Sequence, residues 1–195
     1  PLVLFVGEKE PLIEKKTTEK TSAAAELFFW AQALTVALAV LVCVNTFFFR
    51  LSGVVGQSME STLHQGDQLI LQIIGYDQPE RGDIIVCYSD HFGEALVKRV
   101  IAVEGDTVDI SDDGYMVVNG EELYEPYANE PMWESKRVGH NYPITVLEDH
   151  VFAVGDNRNH SSDSRDVLIG QIPEDQVIGK ALFRIFPFNK IGGVK

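Results

Sequence analysis

The chain has 195 residues, 29 acidic and 16 basic, for a formal net charge of −13. That balance excludes general nucleic-acid binding and leaves no polybasic patch for a lipid surface. Beyond the first fifty residues, roughly 145 are left, enough for one domain with a real core and a small insertion.

Residues 1–22 open on Pro1, which carries the expectation that the native chain starts further upstream, and 8–22 are rich in Lys, Glu and Thr. Such a composition reads as a solvated arm. Residues 27–44 then carry no charge, and only Gln32 and Thr35 interrupt their apolar character. A bilayer span needs about 20 residues, so 24–47 is long enough to cross. Phe28, Phe29 and Trp30 stand at one end and Phe47, Phe48 and Phe49 at the other, in the manner of an aromatic belt. A soluble domain of this size would struggle to wrap so uniform a helix. A cleaved signal peptide has a shorter apolar run, about 7–15 residues, and a small-x-small site after it. Here the run ends in Phe47-Phe48-Phe49-Arg50. The expectation is a retained transmembrane helix over 23–49. Lys9, Lys15, Lys16 and Lys20 precede it, whereas Arg50 follows alone until Arg81. That asymmetry predicts a cytoplasmic arm over 1–22 and an extracytoplasmic domain over 50–195.

After the helix the pattern changes to short β segments. Gln68 to Ile74 reads as a strand after the Gln65-Gly66-Asp67 turn, and the turn at Gln78 to Asp83 leads into Ile84 to Tyr88. Leu96 to Val103 and Thr107 to Ile110 come next, and Tyr115 to Val118 runs into Asn119-Gly120, a strong hairpin signal. Residues 123–143 hold three prolines and no sustained period, predicting an irregular small lobe around 111–148. Ile144 to Val146 and Val151 to Val154 resume strand character, a polar loop spans Gly155 to Asp166, and a last strand covers Gly179 to Phe186. Many short strands with glycine turns predict a mainly β, largely antiparallel domain. Cys43 lies in the apolar run and Cys87 in a predicted strand, so no disulfide is expected.

Chemistry can be sought in Ser58 and Lys98, forty residues apart. A serine hydroxyl needs an adjacent base before it attacks, and a lysine serves when burial disfavours its charged form. Strand alternation sets Leu96, Lys98 and Val100 on one face, so the amine has apolar neighbours. Gly53 and Gly56 free the backbone around Ser58, which suits an exposed amide aimed at an oxyanion. The five histidines, at 64, 91, 140, 150 and 160, lack metal-motif spacing. A Ser-His-Asp triad stays open, because triads assemble through space. Composition and periodicity by themselves stop at a membrane-anchored exported β domain.

Four blocks go further. Ser58-Met59-Glu60-Ser61-Thr62-Leu63 resembles the Ser-Met-x-Pro-Thr-Leu block of bacterial type I signal peptidases, the leader peptidase family. Arg81-Gly82-Asp83-Ile84 resembles the second block, and Lys98-Arg99-Val100-Ile101-Ala102 with Gly105-Asp106 the lysine block. Gly155-Asp156-Asn157-Arg158 with Ser161, Asp163, Ser164 and Arg165 resembles the last. The resemblance implies an antiparallel β catalytic domain of the signal-peptidase and LexA-like type behind a single transmembrane helix. It implies Ser58 as nucleophile and Lys98 as general base, with Ser161 orienting the amine. Asp163 and Arg165 would support the loop beside them, together with Asp156 and Arg158. Asp163 is not expected to pair closely with Lys98, because a carboxylate there would raise the amine's pKa and idle the base. Gly56 and the Ser58 amide are the candidates for the oxyanion hole, and Met59 and Gln57 for substrate contact. The one clear departure is Ser61, where the family has proline.

The implied activity is a membrane-bound serine endopeptidase. It would remove signal peptides from exported preproteins after a small-x-small site, typically Ala-x-Ala, bound as an extended strand. Its partners would be signal peptides, the lipid bilayer and, transiently, the export machinery, with no cofactor, metal or nucleic acid. Two other readings share these residues. One is an inactive membrane-tethered homologue that binds exported chains; the other is a self-cleaving LexA-like protease, which would need a DNA-binding helix-turn-helix upstream.

Overall fold

A computed structural model describes residues 23–136 and 140–194, so the expected cytoplasmic arm, 1–22, lies outside the described residues. The first element is helix α1, Ala23–Phe47, within which Ala23–Val44 is long and apolar enough to cross a membrane and has no buried residue. Its apolar residues are spread around the whole circumference, as suits a helix solvated by lipid tails rather than packed on one side. The expected span, 23–49, overshoots this helix: the chain turns extended at Phe49, two residues after Phe47.

Twelve strands come after it among the described residues. They are β1 (Phe49–Gly53), β2 (Gln68–Gln72), β3 (Ile84–Ser89), β4 (Glu94–Val103), β5 (Thr107–Ile110) and β6 (Met116–Val118). Then come β7 (Glu121–Glu122), β8 (Ile144–Thr145), β9 (His150–Val154), β10 (Ile172–Pro173), β11 (Val177–Phe186) and β12 (Gly192–Gly193). The main sheet runs β1-β2-β11-β3-β4-β9-β10, with β12 also on β11, and a second sheet runs β7-β6-β5-β8. All the pairs described are antiparallel. Asn119 and Gly120 form the two-residue β6–β7 turn with φ of 54° and 81°, the positive pair that a type I′ hairpin demands. The expected irregular lobe therefore holds a small sheet of its own. β1 had no separate forecast, because its alternation (Phe49, Leu51) is short and abuts the apolar helix; pairing with β2 makes it a strand.

Alternation along β3 and β4 sends residues to two cores. Ile84 and Val86 pack with Val54, Met59, Leu63, Leu69, Leu71 and Ala181, and Val97 lies against them. Ile85, Cys87 and Val100 pack with Val151, Ala153 and Ile172, with Leu96 against them. A third cluster, around Phe152 and Val154, joins the second sheet through Val108, Met116 and Val118. Each fully buried aliphatic or phenyl side chain contributes about 1.5–3 kcal/mol. β4 lies between β3 and β9, in the interior of the sheet, so Lys98 at its middle has strand on both sides.

Candidate active site

Lys98 is 2% exposed, and its Nζ donates to Ser58 Oγ at 2.9 Å. Burial is the main cause of a Lys98 pKa held below its ordinary value, with Asp163 the largest opposing influence and Arg165 adding to the depression. Burial therefore beats the carboxylate, because Asp163 is engaged elsewhere. Its Oδ2 accepts from Arg165 Nη2 at 2.8 Å and from the Gly155 amide at 2.9 Å, and its Oδ1 accepts from Arg165 Nε at 2.8 Å. Burial would raise the Asp163 pKa, but Arg165 and these hydrogen bonds outweigh it and hold it low. No Lys98–Asp163 ion pair forms among the described residues. Arg165 Nη2 also donates to the Arg158 carbonyl at 2.7 Å, which closes the loop on itself.

Ser58 is fixed through its backbone. Its carbonyl accepts from the Asn157 amide at 3.0 Å, and Asn157 Nδ2 donates to the Gln57 carbonyl at 3.0 Å. Gly56 has φ of 87°, a left-handed conformation that favours glycine. One residue beyond the Arg99–Val154 pair of β4 and β9 stand Lys98 and Gly155. A Cβ on Gly155 would lie 2.3 Å from both the Ser58 carbonyl oxygen and Ser161 Oγ, so only glycine admits the serine loop this close.

Ser161 sits against that contact with a buried Oγ. The hydroxyl helps to hold Asp163 ionised from a position short of full hydrogen-bond geometry, and makes no hydrogen bond to Lys98 among the described residues. Met59, expected at the substrate, is 1% exposed and packed in the core with Val54, Leu63 and Leu69, so it offers no open surface. Gln57 is exposed. Ser61 is exposed as well, and the Glu60–Ser61 peptide is cis. A cavity of about 860 Å³ lies between Arg99, Tyr127, Ala181 and Val194, and none of Ser58, Lys98, Ser161 or Asp163 lines it.

Asp156 and Arg158 do not pair with Asp163. Asp156 takes a two-pronged bond from Arg99, at 2.8 and 2.7 Å, under a Tyr127 ring 3.8 Å from the guanidinium carbon. Arg158 forms the same kind of pair with Glu125, at 2.7 and 2.6 Å, and reaches the Gly155 carbonyl at 3.1 Å. Arg99, Glu125, Asn157 and Gly155 were not singled out as site residues from sequence. A buried pair gives little net stability but is costly to break, because one charge is stranded. Glu125→Ala is therefore expected to destabilise the fold by about 3–5 kcal/mol, read as a lower midpoint in denaturant titration; an unchanged midpoint would refute it.

A buried amine on a serine hydroxyl, with the local carboxylate neutralised by an arginine, is a geometry for acyl transfer without histidine or metal, and no metal-holding cluster occurs among the described residues. The class it describes is a serine–lysine hydrolase on an antiparallel β domain, joined to a membrane-length helix. The family model for "Signal peptidase, peptidase S26" matches residues 27–186. Signal peptidase I of Bacillus licheniformis is 36% identical over 187 residues, covering 92% of this chain and 98% of the relative. A probable signal peptidase I-1 of Synechocystis is 36% identical over 170 residues, covering 82% of each. The chain belongs to the signal peptidase family, peptidase S26, and is a membrane-anchored enzyme of that family. A crystal structure of a signal peptidase I from Enterococcus faecalis, 31% identical, covers 53% of this chain and 96% of its own with a TM-score of 0.45.

Proposed function

We propose that the chain cleaves signal peptides from exported preproteins after a small-x-small site, with Ser58 as nucleophile and Lys98 as general base. The observation that carries this reading is the 2.9 Å contact of a buried amine with the Ser58 hydroxyl. Neutral Lys98 takes the Ser58 proton as Oγ bonds to the scissile carbonyl carbon. The Ser58 amide, with the Gly56 backbone beside it, stabilises the oxyanion. The carbon–nitrogen bond then breaks, and Lys98 passes its proton to the leaving amine, the new N-terminus of the mature protein. Lys98 next takes a proton from water, whose oxygen attacks the ester; the peptide carboxylate leaves and Ser58 regains its proton. An inactive tether would have no need of this contact, and the lysines ahead of the helix support a catalytic domain on the extracytoplasmic side. Asp163 and Arg165 keep the loop charge balanced so that the amine loses its proton readily.

Incubation with a precursor carrying an Ala-x-Ala site tests the reading. The expected product begins immediately after the second alanine on N-terminal sequencing; an uncut precursor, or cutting elsewhere, would refute it. The pH dependence has a definite sign. Activity needs neutral Lys98, so kcat/KM rises with pH through an alkaline limb whose midpoint is the lowered Lys98 pKa, below 10.5. A profile flat across neutral to alkaline pH, with chemistry rate-limiting, would contradict the base assignment.

A further inference from the structure

Ser61 stands where the family motif has proline, three residues beyond the nucleophile. A proline fixes φ at about −65° and gives up its amide hydrogen, so it stiffens the chain from within. Serine supplies no such restraint, and the Ser61 amide donates no backbone hydrogen bond among the described residues. The stretch 57–60 is held from outside instead, by two asparagines distant in the chain. Asn157 takes the upstream end: its Nδ2 donates to the Gln57 carbonyl at 3.0 Å and its amide to the Ser58 carbonyl at 3.0 Å. Asn129 takes the downstream end, where its Nδ2 donates at 2.9 Å to the Glu60 carbonyl, the oxygen of the peptide that joins Glu60 to Ser61.

The segment that carries Asn129 is tied on both sides to the loop after β9. Before it, the Ala128 amide donates to the Glu125 carbonyl at 3.0 Å, and the Glu125 carboxylate holds the buried Arg158. After it, Asn159 Nδ2 donates to Glu130 Oε1 at 2.8 Å and to the Pro131 carbonyl at 3.0 Å, and Asn159 Oδ1 accepts from the Trp133 amide at 2.8 Å. One loop therefore places both asparagines, Asn157 directly and Asn129 through Arg158 and Asn159. Asn129 is exposed, so water competes for its bond and the bond adds little to the stability of the whole fold. Its effect is local. We propose that Asn129 is a positioning residue for the nucleophile, supplying from outside the restraint that proline gives in the family motif. Without it the Glu60–Ser61 peptide can turn, and the displacement reaches Ser58, whose Oγ must stay 2.9 Å from Lys98 Nζ. This rests on the reading of Ser58 as nucleophile.

The test is a coupling experiment on the full chain in phospholipid vesicles. Asn129→Asp keeps the shape of the side chain and removes the donor; it is made beside Ser61, beside Ser61→Pro and beside Ser61→Gly. On a precursor with an Ala-x-Ala site, Asn129→Asp beside Ser61 is expected to lower kcat about ten-fold, with KM changing less, as a displaced nucleophile would. The loss is expected to shrink to about two-fold or less beside Ser61→Pro, where the ring restrains the chain, and to exceed about ten-fold beside Ser61→Gly, where nothing does. A contact that serves only the fold would give one factor in all three backgrounds. Equal factors, or no loss beside Ser61, would overturn the proposal, and the Ser61→Gly arm decides even if Ser61→Pro does not fold. A second readout needs no cleavage. The Leu63 amide donates to the Met59 carbonyl at 2.8 Å, and its hydrogen exchange is expected to quicken in Asn129→Asp and to slow again when Ser61→Pro is added. Exchange that ignores Asn129→Asp would also overturn the proposal. Failure of the signal-peptidase reading looks different: the unsubstituted chain would then leave the precursor uncut, while the exchange result stands or falls by itself.

Discussion

Lys98→Met is expected to lower kcat/KM for precursor cleavage by at least about 10²–10⁴-fold, the usual contribution of a positioned general base, and Ser58→Ala to leave no acyl-enzyme at all. Methionine keeps most of the apolar stem, so the space that the buried Lys98 side chain occupies stays filled while the amine disappears. The double variant is expected to be no worse than either single one, because the two groups act as one unit. Activity and stability should part company here. Lys98 binds its proton less tightly when folded than its ordinary value of 10.5 allows, so the unfolded chain holds more protons between the two values and stability rises with pH across that window. The buried amine is thus most costly below the lowered pKa. Lys98→Met is expected to stabilise the fold most at acidic and neutral pH, with the gain shrinking as pH climbs toward 10.5. Normal cleavage by either variant would end the assignment, and a gain in stability that grows toward alkaline pH would contradict the burial argument.

The second large effect is expected from one methyl group. Gly155→Ala places a Cβ 2.3 Å from the Ser58 carbonyl oxygen and 2.6 Å from Ser161 Cβ, well inside any real contact. The carbonyl is backbone and cannot rotate aside. Either β9 or the serine loop must move, and the hydrogen bond from the Asn157 amide to Ser58 is strained with it. Misplacing a nucleophile by about 1 Å can cost 10²-fold, so kcat is expected to fall by about that much or more, with KM changing less. Gly179→Ala provides the comparison: its Cβ would lie 2.3 Å from the Gln72 carbonyl, in the β2–β11 pairing and away from Ser58. That variant is expected to lose stability in proportion to its loss of activity. If Gly155→Ala loses no more activity than its own unfolding explains, the positioning role of Gly155 fails.

How much of this was legible beforehand varies with the range of the interaction. The uncharged run 27–44 and the Asn119-Gly120 turn are local signals, since bilayer thickness and turn geometry act over a few residues. The alternation that groups Leu96, Lys98 and Val100 is local as well, but it does not say whether that face looks inward. The roles of Ser58, Lys98, Ser161 and Asp163 came from motif resemblance rather than periodicity. Arg99–Asp156 spans 57 residues and Arg158–Glu125 spans 33, and no pattern along the chain pairs one particular arginine with one particular acid. Gly155 looks like any turn glycine until the serine loop is seen to press on it.

The amino-acid sequence by itself determined the membrane-length helix, the β character of the chain beyond it, the net charge, and the four blocks that place this chain in its family. These are properties of composition, short-range sterics and period. Only the tertiary structure decided that Lys98 lies between two strands with its amine on Ser58, that Arg165 rather than Lys98 takes the Asp163 carboxylate, and that Gly155 lies against the serine loop. Burial and ion pairing depend on which distant segments meet, and the pKa of the base is set by that burial.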